Sequence, residues 1–454
     1  MTKAFLNRRG VVVLALSLSF FGCAENDFYG EEVEADCGRL IDGPCDIRKL
    51  GCQRDLFQLV MCARGAGSGV FPQVETIDSD EFVKVLLEPS ESDQDDSIEA
   101  KAWTKAFQLL GLLPEEVSLS DATSEELAEE VAGFYLTDSR SLFVIDFGEP
   151  MNSRDMNLTM MHEMVHALQD QTVGLDAFEA DFVTSTDTAF AVRALIEGEA
   201  THFMLVALSL MDRRDPRDLN WKRYYDSLLD LLNEEIQTSK APFASAFSML
   251  PYALGGRYVT DAWLAGGSSE VESLFERPIT TAVQWMLDYE SAPIALESLA
   301  CALPRAPQGV EALGSDRLGA VAIYALMLQN EFATESAWEL AKKWRGGEIA
   351  VYAAEKDEQA PTLVAWRTAW ENEDDASRLA EGLRDNDFIT SKRALQRREK
   401  EVLITAADQP DALQTWMEDS ECIRPEEDQK ADQPNALIRA ILPRVFARTI
   451  RSSE

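Results

Sequence analysis

The sequence predicts a mostly helical α+β protein with short sheets. Three observations carry this. Most of the chain places apolar residues at helical spacing. Two places pair β-branched and aromatic runs around a polar turn. No internal repeat points to a solenoid or a propeller. The length of 454 residues suggests two to three domains, and 46 % hydrophobic content allows sizeable cores.

The first residues read as an export signal. Lys3, Arg8 and Arg9 form a basic region, Val11 to Phe21 an apolar one, and Gly22-Cys23 follow. The apolar run is too short to span a bilayer stably. Gly22-Cys23 resembles the lipobox of bacterial lipoproteins, with Phe20 and Phe21 where Leu and a small residue are usual. That resemblance implies lipidation of Cys23, and Ala24 after it resembles the outer-membrane sorting pattern of Gram-negative bacteria. Ordinary cleavage after Ala24 is the other reading. The expected product is exported and lipid-anchored to the outer membrane.

Six cysteines remain: Cys37, Cys45, Cys52, Cys62, Cys301 and Cys422. An even number in an exported chain predicts disulfides. The economical arrangement has two bridges inside 37–62 and one long Cys301–Cys422 bridge, with the pairing left open. A zinc site from the first four is the rival reading, weakened by the lack of any C-x-x-C pair.

A Gly/Ser linker is expected at 63–72, an acidic loop at 91–97, and helices at 98–111 and 123–132, the latter opened by Thr123 or Ser124. Residues 133–147 read as a hairpin about Thr137-Asp138-Ser139-Arg140. Helices follow over 155–171 and 187–211, with Asp187 as candidate cap. Further helices run to about 345, and a second β pair lies at 349–355 and 362–370. The expected division is a signal peptide at 1–22, a Cys-rich module and linker at 23–72, a core at 73–300, and a helical part with a β-hairpin at 301–454.

The charge balance is 80 acidic against 42 basic residues, a formal net charge of -38. Such a surface repels nucleic-acid phosphates, so no nucleic-acid partner is expected.

The chemistry concentrates in HEMVHALQDQ, residues 162–171. The chain has three histidines, and His162 and His166 are two of them. On a helix, residues four apart share a face, so both imidazoles can hold one ion. Zinc is the metal such neutral imidazoles favour. Glu163 beside them can take a proton from a metal-bound water, the arrangement that H-E-x-x-H builds from one turn. A third ligand is needed. Thirty residues on, Glu197 and Glu199 lie inside an apolar helix, where carboxylates are costly without a counter-charge. His202, on the same helix, reads as a structural histidine.

Glu197-Gly198-Glu199-Ala200 resembles the third-ligand motif of aminopeptidase-type gluzincins. That resemblance selects Glu197 as ligand and implies close packing at Gly198. Glu199 would then contact a ligand from outside or face solvent. The wider chain is similar to a family of bacterial zinc metallopeptidases of gluzincin type. The matching strings are VAGFY (131–135), HEMVHALQDQ (162–171), ALIEGEAT (194–201), LPYALGGRYV (250–259), LAGG (264–267) and WRTAW (366–370), over roughly residues 75–385.

The resemblance implies a thermolysin-like core, Zn2+ on His162, His166 and Glu197, Glu163 as catalytic base, and a peptide or protein substrate. In thermolysin-like enzymes a strand beside the site helix binds extended peptide, a role for the 133–147 hairpin. Related enzymes place a Tyr or His against the oxyanion, which makes Tyr252 the candidate here and Arg257 a weaker one. Asp170 reads either as a ligand-orienting group or as a helix-end cap. ERPITTAVQWM (276–286) lacks the Ser-Thr-Glu-Gln string and following His-Pro of the family. This motivates the alternative function, a catalytically inactive cell-surface lipoprotein that uses the fold as a binding or structural module.

Overall fold

The computed structural model describes residues 30–78, 81–82, 98–119, 132–146, 148, 150–287, 294–300, 302–354 and 360–418. The export signal with Cys23, the acidic loop at 91–97, nearly all of the expected helix at 123–132, and both Cys301 and Cys422 lie outside them.

In chain order the first elements are β1 (Glu32–Glu34), α1 (Leu50–Arg64), β2 (Ser68–Val70) and β3 (Gln73–Asp78). Two disulfides, Cys37–Cys62 and Cys45–Cys52, staple α1 to the segment before it. Both expected short-range bridges are therefore present, and they exclude a four-cysteine metal site. They also indicate an oxidising, exported setting.

The presumed linker at 63–72 is structured. Its β2 pairs antiparallel with β1, and Val70 exchanges two backbone hydrogen bonds with the Gln171 side chain at 2.7 and 2.8 Å. The Cys-rich segment is no separate body, because Leu56, Phe57, Leu59, Val60 and Met61 of α1 belong to the main core.

α2 (Ile98–Leu110) ends at Gly111, whose φ of 74° suits a residue without Cβ. The expected hairpin is β4 (Gly133–Leu136) and β5 (Ser141–Asp146), antiparallel about residues 137–140. β3 adds in parallel on the other side of β5, so among the described residues β4 is an edge strand.

Next come α3 (Arg154–Val173), α4 (Leu175–Phe182) and α5 (Thr186–Met211). α3 starts at Ser153, whose side chain accepts from Met156 N, and stops at Gly174 with φ 72°. α5 starts one turn-defining residue earlier than expected. Ser185 is the cap, reciprocated by Thr188 in a capping box. Asp187 is instead buried and accepts from Ala282 N at 2.9 Å and Arg317 Nε at 3.2 Å. Ser185 wins because its extended backbone (φ -158°, ψ 166°) aims its hydroxyl at the Thr188 amide.

α5 is long and apolar enough to cross a membrane by length and composition, yet 89 % of its apolar window is buried inside this fold. It is the central core helix, packed on α1, α3 and, most extensively, on α7.

α6 (Trp221–Thr238), α7 (Pro242–Gly266), α8 (Ser268–Glu276) and α9 (Ala282–Met286) complete the helical part. β6 (Glu311–Asp316), α10 (Gly319–Gln329), α11 (Thr334–Ala341), β7 (Trp344–Ala353), β8 (Leu363–Trp370), α12 (Glu373–Asp385), β9 (Arg393–Arg398), β10 (Glu401–Ala407) and α13 (Pro410–Glu418) follow. The expected second hairpin is β7–β8. It sits inside a five-stranded sheet of order β6-β7-β8-β10-β9, antiparallel throughout.

Alternation sorts the faces of this sheet. Ile349, Val351, Val364, Trp366, Val402 and Ile404 face the main core. Ala350, Tyr352, Leu363, Ala365, Leu403 and Ala407 form a second, smaller core with Leu413 and Trp416 of α13. The two parts share the main core, because α2 lies on β7, β8 and β10.

Candidate metal centre

α3 carries the motif and is buried on nearly all sides, from Met156 to Gln169. The Asn157 side chain clasps Cys45 near its start, donating to Cys45 O at 2.9 Å and accepting from Cys45 N at 3.1 Å. One helical turn places His162 and His166 on the same side, as their spacing requires. α5 crosses them so that Glu197 reaches the same point. His162, His166 and Glu197 are fully buried and offer three ligand atoms within 4.8 Å of one another.

The separations can be tested against an ion. His162 Nε2 lies 3.1 Å from His166 Nε2 and 3.2 Å from Glu197 Oε2, and His166 Nε2 lies 3.5 Å from that oxygen. A tetrahedral ion with bonds near 2.05 Å separates its ligands by roughly 3.3 Å. The three atoms therefore match one face of such a tetrahedron, and the group can bind a metal ion.

A third helix, α7, packs tightly on α5 beside Glu197. A Cβ on Gly198 would lie 2.2 Å from the carbonyl carbon of Gly255 on α7, and one on Gly255 only 1.6 Å from Ala194 O. Backbone meets backbone here, which only glycine permits. From α7, Tyr252 stacks on His162 of α3, ring centroids 5.7 Å apart.

The electrostatics follow from burial. Burial pushes the Glu197 carboxyl up, but the His162 and His166 rings and the Arg193 guanidinium around it outweigh this and hold the group far below the usual carboxylate range. Glu163 has no such partners. Burial first, then the Glu197 charge, raises its carboxyl well above the ordinary value, with the Tyr135 backbone N–H on β4 pulling weakly the other way. Burial lowers His162, and burial with the Glu197 charge raises Tyr252.

Among the described residues, Arg193 Nε and Nη2 and Glu197 Oε1 are buried without a hydrogen bond, and the buried Glu163 carboxylate and Tyr252 hydroxyl have only weak ones, to the Tyr135 N–H and to Glu197. Arg193 Nη2 stands 3.5 Å from Glu197 Oε1. Such groups are costly unless something polar engages them. Their gathering at one spot is what a centre for an ion and a polar reactant requires.

The other sequence candidates sort out as follows. Glu199 is buried and turned away from the three ligand atoms, paired with Arg64 Nε at 2.8 Å. His202 is structural: its Nδ1 meets Thr260 Oγ1 at 2.7 Å, its ring packs on Trp221 and Trp263, and burial lowers its pKa to about 3. Of the two readings of Asp170, the helix-end role holds. It accepts from Leu175 N at 3.1 Å and Tyr135 Oη at 3.0 Å.

The guanidinium beside Glu197 belongs to Arg193. Sequence reasoning missed Arg193, Gln169 and Arg64. Arg193 is four residues before Glu197 on the same helix, a legible signal; Arg64 is 135 residues from its partner Glu199.

Residues 308–421, which hold the five-stranded sheet and its helices, match a family described as a domain of unknown function (DUF8575). The match spans about a quarter of the chain and includes none of the metal-centre residues. No curated protein and no solved structure matches the chain.

Proposed function

We propose that this protein is an exported zinc-dependent metallopeptidase of gluzincin type, acting on peptide or protein substrates. The observation that carries the reading is the convergence of His162, His166 and Glu197 beside a buried Glu163. Two imidazoles and one carboxylate are a donor set that suits zinc and leaves one position open for catalysis. Lipidation at Cys23 would hold the enzyme at the outer membrane.

Zinc, when bound, supplies Lewis-acid polarisation of the scissile carbonyl and the positive charge that draws the Glu163 carboxyl into its ionised form. Glu163 then takes a proton from the attacking water as the oxygen–carbon bond forms. It returns that proton to the amine nitrogen as the carbon–nitrogen bond breaks. Tyr252, stacked on His162 with its hydroxyl toward Glu197, is placed to donate to the oxygen that gains charge. Edge strand β4, with Tyr135 beside Glu163, can pair with an extended substrate. Arg193 steadies Glu197 from its other oxygen.

The test is zinc content per folded chain for wild type and a His162→Ala/His166→Ala control, followed by peptide-library cleavage. One zinc, lost in the control, with chelator-sensitive cleavage, supports the enzyme. Zinc without cleavage of any peptide would move the assignment to a binding module, and no uptake at all would end the metal reading.

A further inference from the structure

The His166 ring is held by a chain of groups that ends in the disulfide-stapled first helix. Gln169 Nε2 donates to Ile196 O at 2.9 Å and to Glu199 Oε2 at 2.8 Å. A peptide carbonyl only accepts, so the amide cannot be turned round without facing oxygen with oxygen. Gln169 Oε1 therefore faces His166 Nδ1, at 2.7 Å. That oxygen only accepts, so Nδ1 carries the proton. In the neutral ring the lone pair is then on Nε2, the nitrogen that faces His162 and Glu197.

Glu199 is in turn held by Arg64 Nε, and Arg64 Nη1 reaches Thr172 Oγ1 on α3 at 2.7 Å. Gln169, Glu199 and Arg64 are all nine-tenths or more buried. Arg64 is the last residue of α1, two positions after the bridged Cys62. The clasps at Asn157 and Gln171 fasten the same N-terminal segment to both ends of α3.

We propose that Gln169 is the positioning residue of the metal centre, and that Glu199 and Arg64 hold it there. The chain presets His166 with its proton on Nδ1 and its lone pair aimed at the metal. Metal affinity is thereby set in part by the cysteine-stapled N-terminal helix. This rests on the metal reading above and adds who prepares the ligand.

The experiment uses the full chain exported to an oxidising compartment, with zinc affinity read by chelator competition and geometry by the absorption of bound Co2+. Gln169→Met is expected to weaken zinc roughly 10–100-fold, the usual effect of losing a group that orients a ligand, and to alter the cobalt spectrum. Arg64→Met leaves Glu199 without its cation and should weaken zinc as well. Adding Glu199→Gln removes the stranded charge while keeping an acceptor for Gln169, and should restore most of the affinity.

Folded Gln169→Met with affinity within about two-fold of wild type and an unchanged cobalt spectrum overturns the proposal. If that variant does not fold, equal affinities for Arg64→Met, its double variant and wild type overturn it instead. A wild-type chain that binds neither ion overturns the metal reading together with this one.

Discussion

Gly198→Ala separates two opposed effects at the crossing of α5 and α7. In an exposed helix interior the change would stabilise by about 1 kcal/mol, because alanine is the better helix former. Here the new Cβ would stand 2.2 Å from the Gly255 carbonyl carbon. Ordinary carbon contacts begin near 3.5 Å, so the backbones must part by about 1.3 Å. Overpacking of this kind costs about 1–3 kcal/mol, which outweighs the helix gain. Glu197 is the next residue, and metal–ligand distances tolerate only about 0.2 Å. We expect a lower thermal midpoint in the metal-free protein and zinc binding weakened at least tenfold. The assays are thermal unfolding with chelator present and zinc competition. A variant that melts higher and binds zinc as wild type would refute the reasoning that this backbone contact sets the site.

Other outcomes are equally concrete. Glu163→Gln should keep its zinc while peptide cleavage falls by about 10²–10⁴-fold; undiminished cleavage would remove Glu163 from the mechanism. Asp187 has a carboxyl that burial pushes up to about 6 despite Arg317. A raised folded-state value means that the folded form holds the proton more tightly. Its contribution is full below the unfolded value near 3.8 and is lost as pH rises through 6, at most about 3 kcal/mol. Denaturant unfolding between pH 4 and 7 should therefore show a shallower fall for Asp187→Asn, and parallel curves would contradict it. Opening the Cys37–Cys62 bridge, which spans 25 residues, should cost about 3 kcal/mol by loop entropy. Because Arg64 lies two residues on, mild reduction should also weaken zinc; intact affinity in a destabilised, reduced protein would uncouple the two.

The readable parts of this chain were those governed by local geometry. His162, Glu163 and His166 sit on one turn because α3 is a helix, and the helix is announced by Ser153 and Gly174 at its ends. β4, β5, β7 and β8 follow from runs of β-branched and aromatic residues. β10 carries a comparable run, Val402 to Ala407, but β9 reads RALQRR and is half-exposed along its length, so no alternation marks it. Its place is assigned by pairing with β10.

Sequence alone determined that His162, Glu163 and His166 share one helical turn, that two short-range disulfides form and that the class is mostly helical, because each depends on neighbours within a turn, a hairpin or a short loop. Tertiary structure alone decided that Glu197 turns toward the histidines while Glu199, two residues on, turns toward Arg64 and Gln169. It also made the N-terminal segment part of the core rather than an appendage. The reason is distance along the chain. Contacts between residues 35 and 135 apart depend on how α3 and α1 pack on α5, which no local pattern encodes.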